Sequence, residues 1–317
     1  MSLPEVGLIG DIGATNARFA LVRADGHPTA IRSYALSDYT SLPDAIDKYL
    51  SEESARPEQA VLAVASPALD DQVIFTNHAW TFSIEAVRQH LGLKRLRVIN
   101  DFAANALAIP HLGVSDRIQI GAGSPVGDAP IGLIGPGSGL GVSTLISTPG
   151  GALPIPSEGG HVTMAPASAQ ESAVLDLMRK RYDHVSAERL LSGPGLVNLY
   201  SALCKLSDER AAPFTPVQIT SPHIWDEDQR TRQATAMFCA MLGTVAGNLA
   251  LTLGARGGVY VAGGIVPGLV TFFAQSEFRS RFEAKGRFQD YLAKIPTYVV
   301  VRPLPALLGA AALLKQP

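Results

Sequence analysis

Two apolar stretches separated by a glycine-rich turn open the chain. Residues 6–9 and 17–22 have the composition of β-strands, and residues 10–16 between them read Gly-Asp-Ile-Gly-Ala-Thr-Asn. The order strand, turn, strand predicts a β-hairpin. A Walker phosphate loop needs a Gly-Lys pair, which occurs nowhere in the chain, and the dinucleotide fingerprint needs a helix after the turn. The chain therefore begins with a hairpin and with neither of these two nucleotide-binding loops.

A segment near the middle of the chain repeats this arrangement. Residues 131–134 and 142–146 predict strands, and residues 135–141 between them read Gly-Pro-Gly-Ser-Gly-Leu-Gly. Two such units favour two related α/β domains that face each other across a cleft. Further strands are predicted at residues 60–65, 96–99, 258–262 and 297–301, and helices at residues 43–53, 83–91, 102–109, 170–181, 194–205, 228–253 and 267–276.

Composition restricts the possible partners. The 317 residues include 26 Lys and Arg against 28 Asp and Glu, a net charge of −2. This balance gives no attraction to phosphate backbones or anionic membranes, so we expect no nucleic-acid partner. Cys204 and Cys239 are too few for a Cys-rich zinc site and favour a reducing compartment. Because the first nine residues lack a signal-peptide pattern, we expect a cytoplasmic protein.

One uncharged segment, residues 234–255, is long enough to span a bilayer. Its threonines and glycines lower its apolarity, and no second segment of this kind occurs. We therefore expect a buried central helix and no association with a membrane. Gly243 and Gly247 are four residues apart, so they allow another backbone to approach one face of this helix.

Three glycine-rich segments are candidates for binding a nucleotide. In the first turn, backbone N–H groups can cradle an anion, and Thr15 adds a hydroxyl donor. Asp11 in the same turn suits bound phosphate only if a divalent cation neutralises both. The second turn offers Ser138, and the pair Gly263–Gly264 follows a predicted strand, where a flat base could approach. The alternatives are a plain glycine hairpin, a tight turn and the end of a strand.

Five acidic or polar positions are candidates for binding or catalysis. Asn100 and Asp101 follow a predicted strand, where α/β sheets place their ligands, and a carboxylate there can serve as a general base. Asp101 could instead cap the next helix. Glu158 and His161 lie on a loop rich in glycine and proline. Glu188 lies at a predicted helix start capped by Ser186, where a solvated first-turn acid is the alternative.

Six motifs occur in one order along nearly the whole chain, at residues 10–18, 99–102, 135–141, 158–161, 184–189 and 262–267. Together they resemble those of the bacterial glucokinases, which phosphorylate glucose with ATP. The resemblance implies the fold of hexokinase, actin and the chaperone ATPases, with two ribonuclease H-like α/β domains around an interdomain cleft. It also implies a smaller domain of residues 1–110 with 303–317, a larger domain of residues 111–302, and a homodimer.

The resemblance assigns a role to each candidate residue. Asp101 is the base that takes the proton from the sugar 6-hydroxyl. The remaining sugar hydroxyls bind to Asn100, Glu158, His161 and Glu188. The ATP phosphates bind to Gly10, Asp11, Ile12, Gly13, Ala14 and Thr15, with Asp11 close to Mg²⁺ through water. Gly137 and Ser138 contact the phosphates from the other domain, and Gly263 and Gly264 border the adenosine.

Two positions depart from the family pattern, since Ala14 replaces the usual glycine and Ser138 a frequent threonine. Ala14 adds a methyl group to the phosphate turn, whereas Ser138 keeps the hydroxyl. A kinase for another hexose or an amino sugar remains an alternative, as does a non-catalytic sugar sensor. The presence of both Asp11 and Asp101 argues against the sensor, and two cysteines cannot supply the zinc motif of the repressor-related sugar kinases.

Overall fold

A computed structural model of the chain describes residues 5–23, 26–66, 70–75 and 80–316. In this part of the chain the strands are β1 (Glu5–Ile12), β2 (Asn16–Arg23), β3 (Pro28–Ala35), β4 (Gln59–Val64), β5 (Gln72–Ile74), β6 (Thr81–Ser83), β7 (Arg95–Asn100), β8 (Arg117–Ile120), β9 (Ile131–Pro136), β10 (Leu140–Thr148), β11 (Gly151–Ser157), β12 (Gly258–Val261) and β13 (Thr297–Val300).

The helices of the same residues are α1 (Leu42–Glu53), α2 (Ile84–His90), α3 (Asp101–Ala108), α4 (Ala169–Arg179), α5 (Gly193–Leu206), α6 (Pro216–Ile219), α7 (Pro222–Glu227), α8 (Gln229–Leu253), α9 (Val270–Gln275), α10 (Phe278–Glu283), α11 (Gln289–Ala293) and α12 (Pro305–Leu314). The chain divides into two compact units. The first comprises Met1–Gly113, Ala152–Pro156 and Arg302–Pro317, and the second comprises Val114–Gly151 and Ser157–Val301.

The first unit is built on a five-stranded sheet in the order β3-β2-β1-β4-β7. β1 and β2 form the antiparallel hairpin that the first glycine-rich turn predicts. β1 is parallel to β4, and β4 is parallel to β7. The register places Ile12, Val64 and Asn100 in one row, so the carboxyl ends of these three strands lie at one edge of the sheet.

The C-terminal helix α12 packs in the first unit against α3. The contact is close enough that a Cβ added at Gly309 would lie 1.8 Å from the carbonyl oxygen of Ala104. Alanines on the buried face of α3 permit this approach, because a larger side chain would separate the two helices. The packing fixes the orientation of α3, whose first residue is Asp101.

In the second unit, the strands lie in the order β10-β9-β12-β13-β8. β9 and β10 form the second predicted hairpin, with Gly135 opposite Gly141, and β12 runs parallel to both β9 and β13. The pattern of strand, glycine-rich turn and strand therefore occurs once in each unit, as the sequence predicts.

The long apolar helix α8 lies in the core of the second unit, and most of it is buried. Although α8 is long and apolar enough to cross a membrane, burial of this kind is that of a core helix. Cβ atoms added at Gly243 and Gly247 would lie 2.2 and 2.5 Å from the carbonyl oxygens of Phe278 and Phe282 in α10. The predicted approach of a second backbone to this face is confirmed.

Two local predictions at helix ends are wrong. Glu188 does not begin an α-helix, since residues Ala187–Arg189 form a single 3₁₀ turn and the Ser186 side chain makes no capping hydrogen bond. The helix predicted at residues 267–276 is divided into a 3₁₀ turn, Val266–Leu269, and α9. In both places a short 3₁₀ turn, which tolerates poorer hydrogen-bond geometry than an α-helix, replaces the regular start.

Candidate active site

Asp11 lies near the end of β1, opposite Arg18 of β2. Its carboxylate Oδ2 is 3.7 Å from Arg18 Nη1, and its side chain is 17% exposed. Burial raises the pKa of the Asp11 carboxyl above its ordinary value, because the charged form loses water, and the nearby Arg18 guanidinium offsets part of this rise. The free protein thus holds a partly desolvated carboxylate beside the glycine-rich turn, where it would gain from a cation.

The turn between β1 and β2 has a fixed backbone. The Gly13 N–H donates to the Asn16 carbonyl at 3.0 Å, and the Thr15 carbonyl accepts from Leu36 N–H at 2.9 Å. Within the described part of the chain, the N–H groups of Ala14 and Thr15 donate to no acceptor. Thr15 is exposed, and its hydroxyl accepts from the Asn16 side-chain amide at 2.9 Å. Two consecutive N–H groups without partners on a rigid turn can bind an anion.

Asn100 and Asp101 lie where β7 passes into α3. The cap of this helix is Asn100, whose Oδ1 accepts from Phe102 N–H at 2.9 Å and from Ala103 N–H at 3.2 Å. The interpretation of Asp101 as the cap is therefore wrong. Asp101 is the first helical residue, and its Oδ1 lies 2.9 Å from Phe102 N–H. The positive end of the helix dipole favours a charged carboxylate at this place.

The sheet of the first unit brings the glycine-rich turn and Asp101 to the same edge. Ile12 at the end of β1 and Asn100 at the end of β7 occupy one row, with Val64 of β4 between them. Since neighbouring strands are about 4.8 Å apart, two steps across the sheet separate β1 from β7 by roughly 10 Å. A phosphate on the turn and a hydroxyl beside Asp101 would therefore lie within one small site.

In the second unit, two glycine-rich segments lie against each other. Gly263 has a φ of +82°, and a Cβ on this residue would lie 2.3 Å from the Pro136 carbonyl oxygen. A glycine is needed here both for the backbone conformation and for the close approach. A Cβ added at Gly137 would lie 4.0 Å from the Gly264 nitrogen, and Ser138, the next residue, is exposed. The structure therefore brings together the four residues of this unit that the sequence assigns to nucleotide binding.

Glu158 and His161 lie close together on the surface of the second unit. Glu158 Oε2 is 3.9 Å from His161 Nε2, and the two side chains are 67% and 60% exposed. Between them, a Cβ at Gly159 would lie 2.9 Å from the Val142 side chain, and one at Gly160 would lie 2.1 Å from the Leu140 carbonyl oxygen. These glycines hold the loop against β10, and the exposed carboxylate and imidazole can bind sugar hydroxyls.

Glu188 is half-buried and directed at the β9–β10 turn. Its Oε2 accepts a hydrogen bond from Leu140 N–H at 2.8 Å. The alternative of a solvated first-turn acid is therefore wrong. Two groups that contact the candidate residues were not predicted from the sequence. They are Leu140 N–H, which donates to Glu188, and Arg18, which lies beside Asp11. Arg18 falls inside the first glycine-rich motif, but no sequence pattern connects Glu188 to a residue 48 positions away.

Comparison with known proteins gives a consistent result over the full chain. A family model for glucokinase matches residues 8–317. The glucokinase of Nitrobacter hamburgensis is 46% identical over 318 residues, covering 100% of this chain and 99% of that protein. A crystal structure of a glucokinase from an Antarctic psychrotroph is 35% identical, with a TM-score of 0.88 and full coverage of both chains.

A more distant structure shares the fold alone. The ROK-family glucokinase of Streptomyces griseus, solved in complex with glucose and AMPPNP, is 19% identical. It covers 98% of this chain and 100% of its own length, with a TM-score of 0.66. The fold of both units is therefore the α/β fold of the sugar kinases and actin-like ATPases.

Proposed function

The chain belongs to the glucokinase family, and from this premise we propose that it transfers the γ-phosphoryl group of ATP to the 6-hydroxyl of glucose, giving glucose 6-phosphate and ADP. The observation that carries the proposal is the sheet edge of the first unit. The register of β1, β4 and β7 supports the proposal, because it puts Ile12, just after Asp11, and Asn100, just before Asp101, in one row at this edge.

Asp101 is the proposed general base. Its Oδ1 accepts from Phe102 N–H, which sets the direction of the carboxylate, and the carboxylate can take the proton of the 6-hydroxyl. As the bond from the sugar oxygen to the γ-phosphorus forms, the bond from that phosphorus to the β-bridging oxygen breaks, and ADP leaves. A fixed acceptor at the helix N-terminus orients the nucleophile for this in-line transfer.

The phosphates of ATP are proposed to bind to the end of β1 and the turn that follows it, at Gly10, Asp11, Ile12, Gly13, Ala14 and Thr15. Gly137 and Ser138 are proposed to bind the phosphates as well, and Gly263 and Gly264 to lie beside the adenosine. The N–H groups of Ala14 and Thr15 that lack acceptors in the described structure support this assignment. The methyl group of Ala14 leaves its N–H group in place.

The residues also fit a Mg²⁺ ion that arrives with the nucleotide. No cluster of three or more His, Cys, Asp or Glu side chains that could hold a metal occurs among the residues described by the structure. The ion would then take its ligands mainly from phosphate oxygens and water, with the Asp11 carboxylate holding a bound water, as is usual for Mg²⁺. When bound, it supplies charge neutralisation of the transferring phosphoryl group.

Glucose is proposed to bind to Asn100, Glu158, His161 and Glu188 in addition to Asp101. Carboxylates, an amide and an imidazole discriminate strongly between sugars, because a missing hydroxyl leaves a polar partner unsatisfied. In Asn100 the Oδ1 atom caps α3, so its Nδ2 group is the part left for the sugar. We also propose that the protein works in the cytoplasm as a homodimer.

The experiment that tests the function measures ATP consumption with a panel of hexoses. Glucose, mannose, glucosamine and N-acetylglucosamine are each supplied with MgATP, and the sugar product is identified by NMR. We expect glucose to have the highest kcat/KM and to give the 6-phosphate. A higher kcat/KM for another sugar would replace glucose as the substrate, and sugar binding without ATP consumption would show a sensor.

A further inference from the structure

Glu188 contacts the backbone of the turn that is proposed to bind phosphate. Its Oε2 accepts from Leu140 N–H at 2.8 Å, at the position where the β9–β10 turn enters β10. The same oxygen lies against Gly139, and a Cβ added there would be 2.5 Å from it. A side chain at residue 139 would therefore displace the end of the carboxylate from its present position. Its other oxygen, Oε1, has no partner among the described residues.

The backbone around Glu188 holds the other half of the same turn. The Ser192 hydroxyl donates to the Glu188 carbonyl at 2.8 Å, which fixes Ser192 and the start of α5. Gly193 N–H then donates to the Gly137 carbonyl at 2.8 Å, and Gly137 N–H donates to the Gly139 carbonyl at 2.8 Å. Residues 137–140 are thus held at one end by the Glu188 side chain and at the other by the segment that follows it.

We infer that Glu188 couples the binding of glucose to the binding of nucleotide. The inference rests on the proposed function, in which Glu188 binds a sugar hydroxyl. A hydroxyl bound at Oε1 restricts the rotation of the carboxylate. Because Oε2 accepts from Leu140 N–H, the motion of Leu140 and of the Gly137–Ser138 turn is then restricted as well. The turn is then ordered before the phosphates arrive, so the nucleotide loses less conformational entropy when it binds. Glu188 is a positioning residue in this role, in addition to its contact with the sugar.

Coupling of this kind is reciprocal and can be measured without turnover. The dissociation constant of Mg²⁺-AMPPNP is determined by calorimetry, first without glucose and then with saturating glucose. We expect glucose to tighten nucleotide binding roughly tenfold in the unaltered protein, within the range usual for coupled sites. A ratio near one in the unaltered protein would overturn the inference.

Four variants separate coupling from sugar contact. Glu188→Ala removes both carboxylate oxygens, and Gly139→Ala keeps Glu188 but displaces its Oε2, so both should reduce the ratio to near one. Glu188→Gln retains an oxygen that can accept from Leu140 N–H and should keep most of the tenfold effect. Glu158→Gln is the matched control, since it weakens a sugar contact that does not touch the turn. It should raise the glucose concentration needed for saturation and leave the ratio unchanged.

The outcomes distinguish this inference from the proposed function. If the unaltered protein phosphorylates glucose but Glu188→Ala or Gly139→Ala keeps the tenfold ratio, the coupling role is wrong and the function stands. If the unaltered protein phosphorylates no glucose, the proposed function fails first. Circular dichroism shows whether each variant is folded. If Glu188→Ala does not fold, Gly139→Ala, in which Glu188 is still present, provides the test.

Discussion

At the scale of single residues, the burial of Asp11 conflicts with stability, and the proposed function accounts for it. Burial raises the pKa of its carboxyl, so the folded protein binds the proton of this group more tightly than the unfolded chain does. Between the ordinary value of 3.8 and the raised one, the folded state therefore holds more protons, and its stability falls as the pH rises. Above the raised pKa the full cost of a buried charge is present, which bound MgATP would relieve.

Removing this charge should stabilise the free protein. We expect Asp11→Asn to raise the melting temperature at pH 7.5 by on the order of 2 °C, the shift given by about 1 kcal/mol in a large chain. The difference should shrink as the pH falls toward 4, because the raised pKa means that the unaltered carboxyl takes up a proton earlier in this fall than an ordinary aspartate does. Thermal melts across this pH range, with the exposed Asp38→Asn as control, measure the effect. A variant that melts lower at pH 7.5 would refute the account of Asp11.

Glu158 is expected to act on the sugar and not on the nucleotide. Its carboxylate is exposed and paired only loosely with His161, so Glu158→Gln should disturb the fold little. We expect the KM for glucose to rise about tenfold, since one charge-assisted hydrogen bond contributes roughly 1.5 kcal/mol or more. The KM for ATP should change less than twofold in steady-state assays. Equal increases of both constants would place Glu158 outside the sugar site.

At the scale of elements, the contact between α8 and α10 depends on two glycines. In a free helix, Gly243→Ala would stabilise by up to about 1 kcal/mol. Here the new Cβ would lie 2.2 Å from the Phe278 carbonyl oxygen, so α10 must move away. We expect a loss of about 1–3 kcal/mol in the free energy of unfolding, as for other overpacked cores, measured by urea denaturation.

A matched control for this contact is Gly268→Ala. Gly268 lies in a 3₁₀ turn, and no heavy atom lies within 4 Å of a Cβ added there. This variant should be close to neutral. If Gly243→Ala were as stable as the control, the two helices would not be in the contact described.

The elements that the sequence predicts correctly are those with strong periodicity or composition. β1, β2, β9 and β10 are apolar strands joined by glycine-rich turns, and α8 is a long uncharged helix. The strands that the sequence does not predict include strands at the edges of the sheets whose residues are largely exposed. Two such strands are β3 and β11, the latter with two prolines. The short charged helix α10 was also missed, because it is held by Gly243 and Gly247 and not by its own pattern.

The candidate site divides in the same way. The position of Asp101 follows from local sequence, because the predicted strand and the predicted helix leave only the junction between them for Asn100 and Asp101. Local sequence does not show which of Asn100 and Asp101 caps α3, since both residue types can cap a helix. The bond from Leu140 to Glu188 joins positions far apart in sequence and depends on the packing of the whole second unit.

At the scale of the whole molecule, the proposed reaction needs both units. In the proposed function, the proposed base and the turn after β1 belong to the first unit, and the other glycine-rich segments and most of the proposed sugar ligands belong to the second. Each unit has its own apolar core, so a substitution at one site should leave the folding of the other unit unaffected. If the proposed function is correct, activity requires both units.

The measurement that tests the central claim most directly compares Asp101→Asn with the unaltered protein. Asparagine keeps an oxygen that can accept from Phe102 N–H but cannot take the proton of the sugar hydroxyl. We predict that the dissociation constant for glucose stays within threefold, while kcat for glucose 6-phosphate formation falls by about 10²–10⁴, the usual share of a general base. A variant that binds glucose and turns over within a few-fold of the unaltered rate would contradict the assignment of Asp101 as the base.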